Sequence, residues 1–372
     1  MTGLDDSVRV RFHLPDGHYF LSHSVGLMPT GIAEGLSDAV LAPWQAQGQS
    51  WDEWLAVIDR FRCGLGAFLN TDPAMICPQT NVSSALTKIL FSLPEPGKRN
   101  TILLSEQDFP TIGFVALQAE RLGWHLRYLP READLTDATV WLDAMGEDVG
   151  IVLVTHAYSN SAMLAPVAAI TDAARTRGIV STVDIAQSAG TIAIDIAAWQ
   201  ADFVIGTSVK YLCGGPGAAF LWASPQIIAK CQPLDVGWFS HENPFEFDLK
   251  DFRYAPDARR FWGGTPSVLP YAMAAQSIET LTEIGIGTIH RQNQQRLGRL
   301  IDGLDPAMLK SETREGRRGS HLLYAPPDVE AATKRLEETG IRHDCRAGAL
   351  RLSVHLYITE EDIDAALAAL TG

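Results

Sequence analysis

The sequence predicts an α/β fold: a large α/β/α domain around a mainly parallel sheet, followed by a smaller α+β domain at the C-terminus. Three observations predict it. Short apolar runs alternate with helical patterns through the middle of the chain. Those runs lack strict polar–apolar alternation, as expected of strands covered on both faces. After about residue 270 the pattern changes to long helices and isolated strands, which marks a second, smaller domain.

Taken in order, the strand candidates are TILLSE (101–106), IVLVTHA (151–157), IVSTVDIA (179–186), FVIGTS (203–208) and AAFLWAS (218–224). Between the second and third lies APVAAITDAARTRG, an amphipathic helix closed by Gly178. Beyond residue 270, a long helical pattern runs through PYAMAAQSIETLTEIG and on to IHRQNQQRLGRLIDGL. SHLLYAP reads as a strand, VEAATKRLEETG as a helix and LRLSVHLYI as a strand. The last helix starts at Thr359, with acids behind it, and carries Ile363, Ala366, Leu367 and Leu370 on one face.

Composition narrows the function. With 372 residues the chain is longer than one ordinary core, and 46% apolar against 20% charged residues marks a folded protein. A net charge of −14 disfavours nucleic acid and anionic membrane as partners. The start, MTGLDDSVRVRFHLPDG, is polar, and no run is long and uncharged enough for a membrane span; a cytoplasmic location is expected. Five dispersed cysteines form no C-x-x-C pair and read as free thiols, and no His/Cys spacing suggests a metal.

The chemistry centres on two residues. Asp184 ends the strand IVSTVD, and ligands of open α/β sheets bind outside the carboxyl ends of strands. A carboxylate there can fix a cationic ring nitrogen or a metal, or simply cap a turn. Lys210 follows 26 positions later (210 − 184), after the next strand and before a glycine-rich turn. Alone it reads as a surface lysine; in an apolar pocket it is a nucleophilic amine. Together, an acid on one strand end, a lysine on the next and a glycine turn behind it form the arrangement that pyridoxal 5'-phosphate needs. The glycines are expected to let the backbone pass close to that cofactor. In PQTNVSSALTKILFSL, Val82, Ala85, Leu86, Ile89 and Leu90 share one face, so a helix begins near Asn81. Its free N–H groups with the hydroxyls of Ser83 and Ser84 can cradle a phosphate, or form an ordinary N-cap.

The stretch VDIAQSAG…IDIAAWQADFVIGTSVKYLCGGPG resembles the class V aminotransferase family of fold-type I pyridoxal-phosphate enzymes, and its kynureninase branch most of all. YFLSHSVGLMP resembles the opening segment of kynureninases, and THAYSNSAMLAP their strand and loop before the central helix. GWFSHENPFEF, RFWGGTPSVLP and LRLSVHLYITEEDID are similar to the family's substrate-site segment, dimer-crossing loop and C-terminal arginine motif. The resemblance implies a homodimer with shared active sites. It also implies a segment 1–30 packing on the small domain of 271–372, with 31–270 as the large cofactor-binding domain.

Roles follow from the same resemblance. Lys210 would carry the cofactor as a Schiff base and move protons at the substrate's α-carbon. Asp184 would pair with the pyridine nitrogen, Gln187 with the ring hydroxyl, and Phe109 would stack on the ring. Val82, Ser83 and Thr207 would hold the phosphate, joined by Thr265 from the partner subunit. Ser24, Trp238 and Arg351 would meet the amino-acid substrate, Arg351 by clamping its carboxylate bidentately. The chain departs from kynureninases at Val209, where they carry Tyr, at Thr265, where some carry Asn, and at Gln187, which is closer to the cysteine desulfurase pattern. Cys345 lies only 6 positions before Arg351 (351 − 345), too close to resemble the desulfurase cysteine loop, and reads as an incidental thiol. Hydrolytic Cβ–Cγ cleavage of the kynureninase kind is the first expectation. C–S cleavage, transamination or epimerisation are the alternatives, and a non-catalytic relative that keeps the fold for binding is more remote.

Overall fold

The structure, a computed structural model, describes residues 7–48 and 50–372; residues 1–6 of the expected N-terminal segment lie outside it. After a two-residue strand, β1 (His18–Tyr19), the chain builds one large sheet from β2 (Ile76–Gln79), β3 (Thr101–Ser105), β4 (His125–Leu129), β5 (Val149–Thr155), β6 (Val180–Asp184), β7 (Phe203–Thr207) and β8 (Ala219–Ala223). The order across the sheet is β2-β8-β7-β6-β5-β3-β4. Only β8 is reversed; it runs antiparallel to β2 and β7, and the remaining pairs are parallel.

The apolar runs lack alternation because each face meets a different core. Along β5, Val152 and Val154 join one buried cluster while Ile151 and Leu153 join the other. The first cluster holds the inner faces of α1 (Trp51–Phe68), with Ile58, Phe61 and Leu65. The second holds α2 (Val82–Leu90) and α3 (Pro110–Ala119), with Leu86, Ile89, Ile112 and Ala116. The crossover from β5 to β6 is α4 (Val167–Arg177), which ends as expected at Gly178 in the left-handed region, φ 66°. Within this sheet, sequence patterning missed two strands. β4 is an edge strand of His, Arg and Tyr whose side chains stay largely exposed, and β2 is short and contains Pro78.

The long helical pattern after residue 268 is two helices, α5 (Leu269–Ile284) and α6 (Ile286–Asp302), broken at Gly285 with φ 89°. A three-stranded antiparallel sheet follows, in the order β11 (Asp344–Arg346), β12 (Ala349–Ser353), β9 (His321–Tyr324), flanked by α7 (Val329–Glu338) and α8 (Glu360–Thr371). The expected strand LRLSVHLYI stops at Ser353; Val354–Ile358 turns instead and stays buried. Thr359 caps α8 through a capping box with Asp362.

The two ends of the chain meet. β1 pairs in parallel with β10 (Ile341–Arg342), and the Ser353 amide donates to the Phe20 carbonyl at 2.9 Å. From there residues 21–27 run back to the large sheet, where the Gly26 amide donates to the Val209 carbonyl at 2.9 Å. The N-terminal segment therefore ties the C-terminal sheet to the residue before Lys210.

Candidate active site

Two strands stop in line and the third runs two residues further. Thr155, the last residue of β5, is in register with Asp184, the last of β6, and β7 ends beside them at Thr207. Lys210 lies three residues beyond, and its side chain lines a cavity of about 220 Å³ at this edge of the sheet. Asp184, Gln187, Thr207, Phe109, Val82 and Ser83 line the same cavity. Adjacent strand ends thus bring together an amine, a carboxylate and several hydroxyls from distant parts of the sequence.

The electrostatics suit a reactive amine. Burial lowers the Lys210 pKa from its usual 10.5 to about 8, partly opposed by the Asp184 charge. Burial raises the Asp184 pKa, while the Ala186 amide, donating at 2.8 Å, and the Lys210 charge favour its ionised form. Below them sits a carboxyl the sequence reading missed. Asp108 accepts from the Thr155 hydroxyl at 2.6 Å and the Ser105 amide at 2.8 Å, and burial pushes its pKa up to about 7. It follows a strand at one residue's remove from Phe109, and nothing in its own spacing marks it.

The mouth of the cavity begins at α2. The Asn81 side chain accepts from the Ser84 amide at 2.8 Å and the Asn81 carbonyl accepts from Ala85, which leaves the amides of Val82 and Ser83 facing the cavity. Ser83 Oγ donates to Thr111 Oγ1 at 3.2 Å, so two hydroxyls flank those amides. Phe109 precedes α3 and is 40% exposed, with the Lys210 amine 5.6 Å from its ring centroid. Gln187 donates to the His23 carbonyl at 3.1 Å, and its buried Oε1 has no partner among the described residues.

The remaining expected residues stand elsewhere. Arg351 is 2% exposed and already engaged: it donates to Asp344 through Nε at 2.8 Å and Nη2 at 2.5 Å, and to the Ser159 carbonyl at 3.2 Å. Ser24 is exposed, outside the cavity lining, and its amide caps a turn to the Leu21 carbonyl. Trp238 and Thr265 meet each other, Nε1 to Oγ1 at 3.3 Å, but do not line the cavity of their own chain. The glycines behind Lys210 do not border the cavity either. A Cβ on Gly214 would come within 2.8 Å of Ala274 and of Ser208, so this turn is glycine-rich in order to pack against α5. Close approach to the lysine itself is made by Gly26, where a Cβ would stand 2.1 Å from the Lys210 carbonyl oxygen.

The residues fit pyridoxal phosphate. An amine of lowered pKa, a buried carboxylate, an unpartnered amide oxygen, an aromatic plate and the free N–H groups of a helix start correspond to the aldehyde, ring nitrogen, ring hydroxyl, ring face and phosphate of that molecule. The description of the class-V aminotransferases matches residues 52–366. The chain belongs to the class-V aminotransferase family. Pyridoxal phosphate is the cofactor of this family of enzymes. The chain is 29% identical over 384 residues to a kynureninase of Deinococcus radiodurans, covering 98% of this chain and 92% of that one. It is also 29% identical to an isopenicillin N epimerase of Streptomyces clavuligerus, covering 85% of each. Among solved structures, a mutant of C-DES with glycine covalently linked to its PLP cofactor superposes with a TM-score of 0.88 at 22% identity, covering 97% and 98% of the two chains. A cysteine desulfurase from Thermococcus onnurineus gives 0.86 at 18% identity, covering 100% and 98%. These establish the α/β fold of the fold-type I pyridoxal-phosphate enzymes.

Proposed function

We propose that this class-V enzyme cleaves the Cβ–Cγ bond of an L-amino acid hydrolytically, as a kynureninase does. The observation that carries the reading is the Lys210 amine and the Asp184 carboxylate facing one cavity from the ends of adjacent parallel strands. Kynureninase relatives that span nearly the whole chain support the choice of reaction.

In this reading Lys210 holds the cofactor through its amine and Asp184 keeps the pyridine nitrogen protonated. Gln187 accepts from the ring hydroxyl, Phe109 covers the ring, and Val82, Ser83 and Thr207 bind the phosphate. The bound cofactor supplies an electron sink for charge at the substrate's α-carbon. Lys210 Nζ, once free, takes the proton from that carbon, and a pKa near neutrality suits it to do so. Arg351 orients the substrate's carboxylate if that group displaces Asp344 or meets the remaining guanidinium edge.

A homodimer is part of the proposal. Trp238 and Thr265 lie together away from their own cavity, beside the exposed aromatics Phe245 and Phe247, which supports a role for them in a second copy's site. The pairing of β1 with β10 supports the division in which 1–30 packs on 271–372. Five free cysteines support a reducing, cytoplasmic setting. Desulfurase-type chemistry is disfavoured by Cys345. On β11 its side chain alternates with those of Asp344 and Arg346, and its sulfur sits 3.7 Å from Thr333 of α7.

The test is anthranilate release from L-kynurenine by the cofactor-loaded protein. Steady turnover, abolished by Lys210→Ala, is expected. Absence of turnover, with spectral changes of the bound cofactor on adding other amino acids, would remove the kynureninase reading and keep the cofactor site.

A further inference from the structure

Two guanidinium groups, those of Arg346 and Arg351, lie close enough to the Lys210 amine to act on its charge, and they are not equivalent. Asp344 and Arg351 are directly opposed across the β11–β12 pair, so the fold itself builds their ion pair. Arg351 is thereby compensated, and its bidentate edge is filled. Arg346 is two residues from Asp344 on the same strand and therefore on the same face. Among the described residues no carboxylate lies within ion-pair distance of it. Its polar contacts are long and neutral, with Nη1 3.5 Å from Ser159 Oγ and 3.4 Å from Asn160 Oδ1. Its guanidinium carbon stands 5.7 Å from the Phe109 ring centroid, the ring that also lies 5.6 Å from the Lys210 amine. Both Phe109 and Ser159 line the cavity.

An uncompensated, partly buried guanidinium is unfavourable unless a counter-charge arrives. The carboxylate nearest to it, Asp344, is engaged by Arg351, so one carboxylate faces two guanidinium groups and one positive charge is left over. The missing anion belongs to what enters the cavity. A single α-carboxylate does not require two guanidinium groups, and it is common to every amino acid, so it confers no choice among them.

We propose that Arg346 receives a second anionic group, carried on the side chain of the amino-acid substrate, and that the site thereby selects amino acids with an acidic side chain over their neutral isosteres. This rests on the reading of the cavity as a pyridoxal-phosphate site for amino acids, and it ranks L-kynurenine, whose side chain is neutral, below an acidic substrate.

The experiment titrates the cofactor-loaded protein with L-aspartate, L-asparagine, L-glutamate and L-glutamine and follows the visible spectrum. At least one acid is expected to bind ten-fold or more tightly than its amide. Arg346→Gln removes that difference and leaves the amide affinities unchanged, while Arg346→Lys keeps part of it. Equal affinities for acid and amide in the wild type overturn the proposal. So does an equal loss for acids and amides in Arg346→Gln, which would make Arg346 the α-carboxylate's partner. A wild type that takes up no pyridoxal phosphate, seen before any amino acid is added, fails the underlying reading and the proposal with it.

Discussion

Removing the Asp344 carboxylate isolates the energetics on which the upper wall of the site depends. Asp344→Ala leaves the Arg351 guanidinium, 2% exposed, with the Ser159 carbonyl as its one remaining hydrogen-bond partner among the described residues. Breaking a buried ion pair by deleting one member costs about 3–5 kcal/mol, because the remaining charge is desolvated without compensation. Asp344 is itself 31% exposed, so water partly fills the space it leaves, and the low end, about 3 kcal/mol, is expected. The pH dependence has a definite sign. Burial pushes the Asp344 carboxyl up, but hydrogen bonds from Arg351 and His23 outweigh it and hold the folded-state pKa well below the usual 3.8. A depressed carboxyl contributes stability that is complete above the unfolded-state value and is lost as pH falls toward the folded one. The gap between wild type and Asp344→Ala is therefore full at pH 7 and shrinks below about pH 4. Urea unfolding at both pH values measures it. The double variant Asp344→Ala with Arg351→Met removes both charges and is expected to recover most of the loss. A cost under about 1 kcal/mol at pH 7, or a double variant no more stable than the single one, refutes the reasoning.

Burial lowers the Lys210 pKa to about 8, so in the cofactor-free protein the rate of pyridoxal-phosphate uptake rises with pH and levels off near 8 rather than near 10. Asp184→Asn, which removes the charge that raises this pKa, moves the midpoint lower; a midpoint near 10 contradicts the account. Ala347, with φ 51°, and Gly348, with φ 77°, form the two-residue turn between β11 and β12, so Ala347→Gly relieves a left-handed alanine. It should stabilise by about 0.5–1 kcal/mol in urea unfolding, and destabilisation would count against this turn assignment. Gly26→Ala sets a Cβ 2.1 Å from the Lys210 carbonyl and 2.7 Å from Cys213 Sγ. It is expected to lower stability by about 2 kcal/mol or more and to weaken cofactor retention, whereas an unchanged unfolding midpoint would show that the segment is not held against the lysine turn.

The parallel strands were legible because their runs are apolar on both faces, and the structure divides those residues between two cores. Asp184 and Lys210 were legible because each directly follows such a run, where a polar residue stands out. The helix at Asn81 announced itself through apolar spacing and a capping side chain. What escaped depended on partners far away in the sequence. β4 escaped because an edge strand needs no apolar run. The β11–β12 hairpin escaped because Ala-Gly replaces the Asn-Gly or Asp-Gly usual at a turn with two positive φ angles. With the hairpin unseen, neither the opposition of Asp344 to Arg351 nor the uncompensated state of Arg346 was readable. The glycines after Lys210 were assigned to the cofactor because they lie near it in sequence, but their neighbours are mainly residues of α5, more than fifty positions on.

Reduction of the pyridoxal-phosphate-loaded protein with borohydride, followed by peptide mapping, tests the central claim most directly. The account predicts a single pyridoxyl group on Lys210. A label spread over surface lysines or fixed on Lys88, or no label at all, would contradict it.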